Sequence, residues 1–225
     1  MTGQPKTLMS SSHTLLRLLV VGLCLALFSL SAQAEPEHSP AQVIRDSINK
    51  MMSQIEGRED YFAANVNELK ALVDESLDEI ADFRYIGASV MGRYFQNATP
   101  QQRSRFVNTF RQTLIDTYTK GLVTFDYREL RVLDSQRPPR HEDQASVAME
   151  VVAVDGTVYP VSYTLRLSDG QWKVVNVIVN GINLGLTFRN QFDQAMRDHN
   201  RDYDAVIANW SPELAADELE EGGSE

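Results

Sequence analysis

The sequence predicts an α+β fold in which helices precede and follow a curved, four-stranded antiparallel sheet and cover one of its faces. Three observations carry that expectation. Residues 146–179 hold three extended segments of period-two alternation, the spacing of β-strands. These segments are joined by Asp155-Gly156 and Asp169-Gly170, dipeptides that supply the positive backbone angles of tight hairpins. On either side, apolar residues recur every three or four positions, so helices and strands are segregated along the chain, which favours α+β over a parallel α/β architecture.

The 225-residue chain opens with Lys6 and Arg17, then a nonpolar-to-small run over residues 18–30 that ends in Ser31-Ala32-Gln33-Ala34. This is the composition of a secretory signal peptide, with cleavage expected after Ala34. The run is too short to span a bilayer comfortably, and Glu35-Pro36-Glu37 follow it. Cys24, the only cysteine, is preceded by Leu23 where a lipoprotein signal wants a small residue, so no lipid anchor is expected there. The mature chain then has no thiol, which excludes disulfides and cysteine chemistry. Removing the signal, with its two bases and no acid, takes the formal charge from −10 to −12. That balance argues against nucleic acid and against an anionic membrane held by a basic patch. Residues 35–212 are expected to form a single domain. Residues 213–225, with six acids and no base, read as a disordered solubilising tail.

In the mature chain a first helix is marked by Val43, Ile44, Ile48, Met51, Met52 and Ile55 and closed by Gly57. Asp60 is expected to cap a second, striped by Val66, Leu69, Val73, Leu77 and Ile80. A shorter apolar segment runs from Tyr85 through Ile86, Val90, Met91, Tyr94 and Phe95. Thr99-Pro100-Gln101-Gln102 joins a hydroxyl cap, a first-turn proline and a capping-box glutamine. It starts a helix over 100–122 with Phe106, Phe110, Leu114, Tyr118 and Leu122 on one stripe. Strand alternation begins over 127–135 and is broken by Arg137-Pro138-Pro139-Arg140. In the next two strands Val147, Met149, Val151 and Ala153 share a face, as do Tyr159, Val161, Tyr163, Leu165 and Leu167. In the last, Val174 and Ile178 are expected to point one way and Val175, Val177 and Val179 the other, so that strand is covered on both faces. Helices striped by Leu184, Phe188, Phe192 and Met196, then by Tyr203, Val206, Ile207, Trp210 and Leu214, complete the chain.

The chemistry inventory is sparse. No nucleophile elbow, zinc-protease motif, P-loop or dinucleotide fingerprint occurs. His38, His141 and His199 match no metal spacing and read as solvated surface residues, so no metal or cofactor is expected. Near the sheet only Asp126, Asp134, Glu150 and Tyr163 could serve as an acid or base. Glu150 falls on the face opposite Met149 and Val151, and Tyr163 reads more readily as a core or rim aromatic. What stands out is apolar surface. Pattern alone leaves three readings open: a filled core, a pocket for an apolar ligand, or a small enzyme acting on an apolar substrate.

A set of longer motifs bears on that choice. The block Val154-Asp155-Gly156-x-x-x-Pro160-Val161-x-Tyr163-x-Leu165-Arg166 is followed by Gly170-x-Trp172-Lys173-Val174, Val179-x-Gly181-Ile182-x-Leu184 and Arg189-x-Gln191-Phe192. Upstream stand Met91-Gly92-Arg93-Tyr94-Phe95-x-x-Ala98-Thr99-Pro100-x-Gln102-Arg103-x-x-Phe106 and Thr117-Tyr118. Together, over residues 41–210, these closely resemble the MlaC family, also called the toluene-tolerance auxiliary family, of periplasmic phospholipid-binding proteins. Asn176, Asn180 and Asn183 depart from polar positions of its pattern.

The resemblance implies a fold NTF2-like in shape that encloses an apolar pocket. It also implies a monomeric periplasmic shuttle that carries phospholipid between an outer-membrane lipoprotein–porin complex and an inner-membrane ABC transporter with its substrate-binding ring, maintaining outer-membrane lipid asymmetry. No catalysis and no cofactor are implied. On this reading the acyl chains are expected against Phe106, Phe110, Leu114, Val147, Met149, Val151, Tyr163, Leu165, Val177, Phe188 and Phe192. A secreted enzyme and a non-catalytic adaptor are the alternatives.

Overall fold

The structure is a computed structural model that describes residues 38–119, 121, 125, 127–133 and 141–212. The expected signal segment, acidic tail, Leu122, Asp126, Asp134, the 137–140 break and Leu214 lie outside the described residues, as does the side chain of Tyr118.

Helix α1 (Pro40–Ile55) begins at Ser39, whose hydroxyl accepts from the Gln42 amide at 3.2 Å, and Pro40 opens its first turn. The stretch expected as one helix capped by Asp60 is two, α2 (Glu59–Ala64) and α3 (Val66–Ile80). They part at Asn65, which leaves helical geometry (φ −120°, ψ 55°) while its side-chain amide donates back to the Tyr61 carbonyl. Asp60 therefore sits in the first turn of α2, and the capping position is held by Arg58, which makes no side-chain cap bond. Helix α4 (Phe83–Met91) is capped by Asp82, and a 3-10 turn (Gly92–Asn97) leads to α5 (Pro100–Tyr118). Both arms of the expected capping box form, Gln102 N–H to Thr99 Oγ1 at 3.2 Å and Thr99 N–H to Gln102 Oε1 at 3.0 Å.

The sheet is an antiparallel meander of β1 (Tyr127–Leu133), β2 (Gln144–Ala153), β3 (Val158–Ser168), β4 (Gln171–Val179) and β5 (Ile182–Asn183) in that spatial order. It has five strands where four were expected. The extra one comes from Asn180-Gly181, whose φ values of 49° and 86° match those of the expected Asp169-Gly170 turn, 51° and 77°. Both pairs meet the positive-φ requirement of a two-residue hairpin. The short return then pairs Ile182 with Val179 and Asn183 with Ile178.

A second correction concerns β4. Tyr163 faces Val177 and Thr164 faces Asn176, but Leu165 faces Val174, so Val175 is an inserted bulge residue. The insertion turns Val174 onto the same sheet face as Val177, where strict alternation would place it with Ile178. At the bulge the chain between α3 and α4 joins the strand's outer edge: Ala81 bridges Val174, and the Asp82 amide donates to the Val174 carbonyl at 3.0 Å. Helices α6 (Leu184–Asp198) and α7 (Tyr203–Ala208) follow the sheet, α6 starting at Asn183, whose side chain accepts from Leu186 N–H.

Three apolar clusters result. Phe106, Phe110, Phe188, Phe192, Met196 and Trp210 form an aromatic core among α4–α7, with ring centroids of Phe106 4.7 Å from Phe192 and 5.3 Å from Trp210. Ile44 of α1 seals the sheet face made by Val147, Leu165, Trp172 and Val174. Ile55, Phe62, Leu69, Val73 and Ile115 join α1, α2, α3 and α5.

Candidate functional site

Where these clusters meet beside β4, the molecule is not filled. A cavity of about 450 Å³ lies between the last long strand and the helices. Its walls are Met51 of α1, Val73 and Leu77 of α3, Ala81, Phe83 and Ile86 of the α3–α4 turn and α4, and Phe110, Leu114 and Ile115 of α5. Thr119 just after α5, residues 174–177 of β4, and Leu184, Gly185 and Phe188 of α6 complete them. Among the described residues no charged side chain lines it. The volume falls in the range of small-ligand sites (~300–1,000 Å³).

Local features hold the walls open. The bulge at Val175 shifts β4 so that four successive residues, Val174 to Val177, border the void. The Asn176 carboxamide oxygen accepts from the Gly185 amide at 3.0 Å, tying the start of α6 to β4. A Cβ at Gly185 would stand 2.4 Å from that oxygen, so the close approach requires glycine. Across the cavity Arg111 clamps α3 to α5: its Nε donates to Asp74 at 2.7 Å, Nη1 to Asp78 at 2.6 Å and Nη2 to the Asp74 carbonyl at 2.9 Å. The same guanidinium lies over the ring of Phe83, a wall residue. Lys70 adds a second α3–α5 tie to Asp116 at 2.6 Å and holds that carboxyl below its ordinary pKa.

Of the eleven residues expected at a binding site, Phe110, Leu114, Val177 and Phe188 line the cavity. Phe106 and Phe192 are buried in the aromatic core behind it. Val147 and Leu165 are buried under α1, with Tyr163 packed against them. Met149 is buried two residues further along β2, and Val151 is half-buried opposite Leu130 and Tyr159. Residues not anticipated at the site include Ala81, Phe83, Val175, Asn176 and Thr119. The expected stripes on α1, α3 and α4 already contained Met51, Val73, Leu77 and Ile86, whose periodicity marks a buried face but not an empty one.

The two candidate acid–base groups among the described residues, Glu150 and Tyr163, do not come together. Burial pushes the Tyr163 phenol up to about 12, and its hydroxyl donates to the Met149 sulfur at 3.9 Å. It is neutral at physiological pH, with no charged partner to activate it. Glu150 is paired with Arg131 at 2.9 Å on the outer side of the sheet. His38, His141 and His199 are exposed, and among the described residues no group of acids, histidines or cysteines could hold a metal ion.

Fold and site together define a class: an α+β domain whose helix-covered meander encloses an uncharged, apolar cavity. The MlaC protein family model matches residues 45–212, and the chain belongs to that family. It is 33% identical over 201 residues to the toluene tolerance protein ttg2D of Pseudomonas putida, spanning 88% of this chain and 89% of that one. It is 20% identical over 169 residues to the intermembrane phospholipid transport system binding protein MlaC of Haemophilus influenzae, spanning 73% and 78%. Its fold is shared with a phospholipid-binding protein of Ralstonia solanacearum solved in complex with a phospholipid, at a TM-score of 0.65 and 23% identity over 76% of this chain and all of that one.

Proposed function

We propose that this protein is a periplasmic phospholipid carrier, exported by a signal peptide cleaved after Ala34, that works non-covalently and without a cofactor. The observation that carries the reading is the uncharged, apolar cavity beside β4. The name of the Haemophilus relative, an intermembrane phospholipid transport system binding protein, supports it. Two acyl chains hold about 30 methylenes, and at ~0.8 kcal/mol each their exposure to water costs on the order of 24 kcal/mol. A dry cavity removes much of that barrier, and with no charge on its walls it leaves the headgroup at the surface. The tails lie against Phe110, Leu114, Val177 and Phe188, and the filled sheet face and aromatic core brace those walls. The lipid passes as a monomeric complex between an outer-membrane lipoprotein–porin complex and an inner-membrane ABC transporter with its substrate-binding ring, which maintains the asymmetry of the outer membrane.

Native mass spectrometry of the mature protein purified from cells without added detergent tests this. Co-purified phospholipid, recovered also by solvent extraction, is the expected result. Protein that stays lipid-free, and takes up no lipid from vesicles, would sink the carrier reading.

A further inference from the structure

Within the proposed lipid site one polar group is unaccounted for. Thr119 lines the cavity, is only 2% exposed, and its hydroxyl has no hydrogen-bond partner. Its backbone amide continues the helix by donating to the Ile115 carbonyl, so the amide is satisfied while the side-chain hydroxyl is not. A buried hydroxyl without a partner is destabilising, and such groups are rare unless something outside the protein completes them. Water is a poor candidate, because a buried water needs roughly 2–4 polar partners. The one other polar side chain on the walls among the described residues, Asn176, has its oxygen committed to Gly185.

The hydroxyl can both donate and accept, and an acceptor that arrives with the ligand would take its O–H. Among the described residues no charged side chain borders the cavity to balance a phosphate or carboxylate, so a neutral acceptor suits it. A phospholipid brings one acceptor of that kind on each tail: the ester carbonyl at the head of the acyl chain. We propose that the Thr119 hydroxyl donates a hydrogen bond to an acyl ester carbonyl of the bound lipid. That bond fixes how deep the tail enters and makes the protein discriminate ester-linked from ether-linked lipids. The proposal rests on the carrier reading above.

The test compares dipalmitoyl phosphatidylglycerol with its dihexadecyl ether analogue. The two share headgroup and chain length and differ in the carbonyls. Delipidated full-length mature protein is titrated with each, and the fraction loaded is read by native mass spectrometry. Wild type should prefer the ester by about threefold to tenfold, the worth of one neutral hydrogen bond. Thr119→Val, which keeps the shape and removes the hydroxyl, should bind both lipids equally at the ether level. Thr119→Ser should restore the preference. The lipid-free Val variant should melt no lower than wild type, since the hydroxyl it loses has no protein partner. Equal binding of the two lipids by wild type, or a preference that survives in the Val variant, overturns the proposal while leaving the carrier reading intact. Failure of wild type to bind either lipid overturns both.

Discussion

The sheet presents two unlike regions to the helices. Under β2 and β3 the interior is closed: Val147 and Leu165 are no more than 1% exposed and are capped by Ile44 of α1. Beside β4 the same apolar chemistry, Val174 and Val177 facing Leu114 and Phe188, encloses empty volume. The residue types hardly differ. What differs is that β4 carries an inserted residue and takes part of its edge pairing from the α3–α4 turn, and that α3 is strapped to α5 by Arg111 instead of collapsing onto the strand. A hollow with apolar walls is what a binding site requires and a structural core does not.

The contrast is most sharply broken by mutation in the filled regions. Phe192→Ala, which removes a ring in contact with Phe106, Tyr94 and Trp210, should cost about 3–5 kcal/mol in a urea titration. A loss below about 1 kcal/mol would mean that the aromatic core is looser than its contacts indicate. Next in size is a pair of tryptophans. Val147→Trp has no room and should destabilise by about 1–3 kcal/mol or more through overpacking. Leu114→Trp projects into the cavity and should change stability by less than about 1 kcal/mol while abolishing lipid uptake from vesicles. If Val147→Trp folds normally and blocks uptake, the site extends under β2.

Arg111→Ala, which frees Asp74 and Asp78, should cost about 1 kcal/mol, since both carboxylates are largely solvated. It should lower lipid affinity as the α3 wall relaxes, and unchanged affinity would show that the clamp does not shape the cavity. The smallest effect belongs to the Lys70–Asp116 tie. Because the hydrogen bond from Lys70 lowers the Asp116 pKa in the fold, its stabilisation is present above the ordinary carboxylate value of 3.8 and is lost as pH falls through the lowered one. The melting temperature of Lys70→Met should therefore approach that of wild type as pH drops from about 5 to about 2, and the difference should also shrink in high salt.

Local chemistry made much of the fold legible. The capping box at Thr99 and the Asp169-Gly170 hairpin formed as read, whereas at Asp155-Gly156 the chain does turn back but only the glycine, at φ 92°, takes the expected positive angle. The fifth strand was equally legible at Asn180-Gly181, a hairpin dipeptide that reads as mere departure from a family pattern when pairing is not considered. The bulge left no trace, because in the run Val174-Val175-Asn176-Val177 β-branched residues stand on both sides of the insertion. Nor does a void have a period. Phe106 and Phe110 occupy one stripe of α5 four residues apart, yet the first is fully buried in the aromatic core against Phe192 and Trp210 and the second also borders the cavity. That distinction depends on what lies across from each ring, which no helical stripe contains.

The central claim is that the tails occupy the space beside β4 and not the face under β2. A phospholipid carrying a photoactivatable group along one acyl chain, loaded into the mature protein, irradiated and mapped by peptide mass spectrometry, tests it most directly. Crosslinks to Leu114, Phe188 and residues 174–177 are the predicted result. Crosslinks confined to Val147, Met149 and Leu165, with none on α5, α6 or β4, would contradict it.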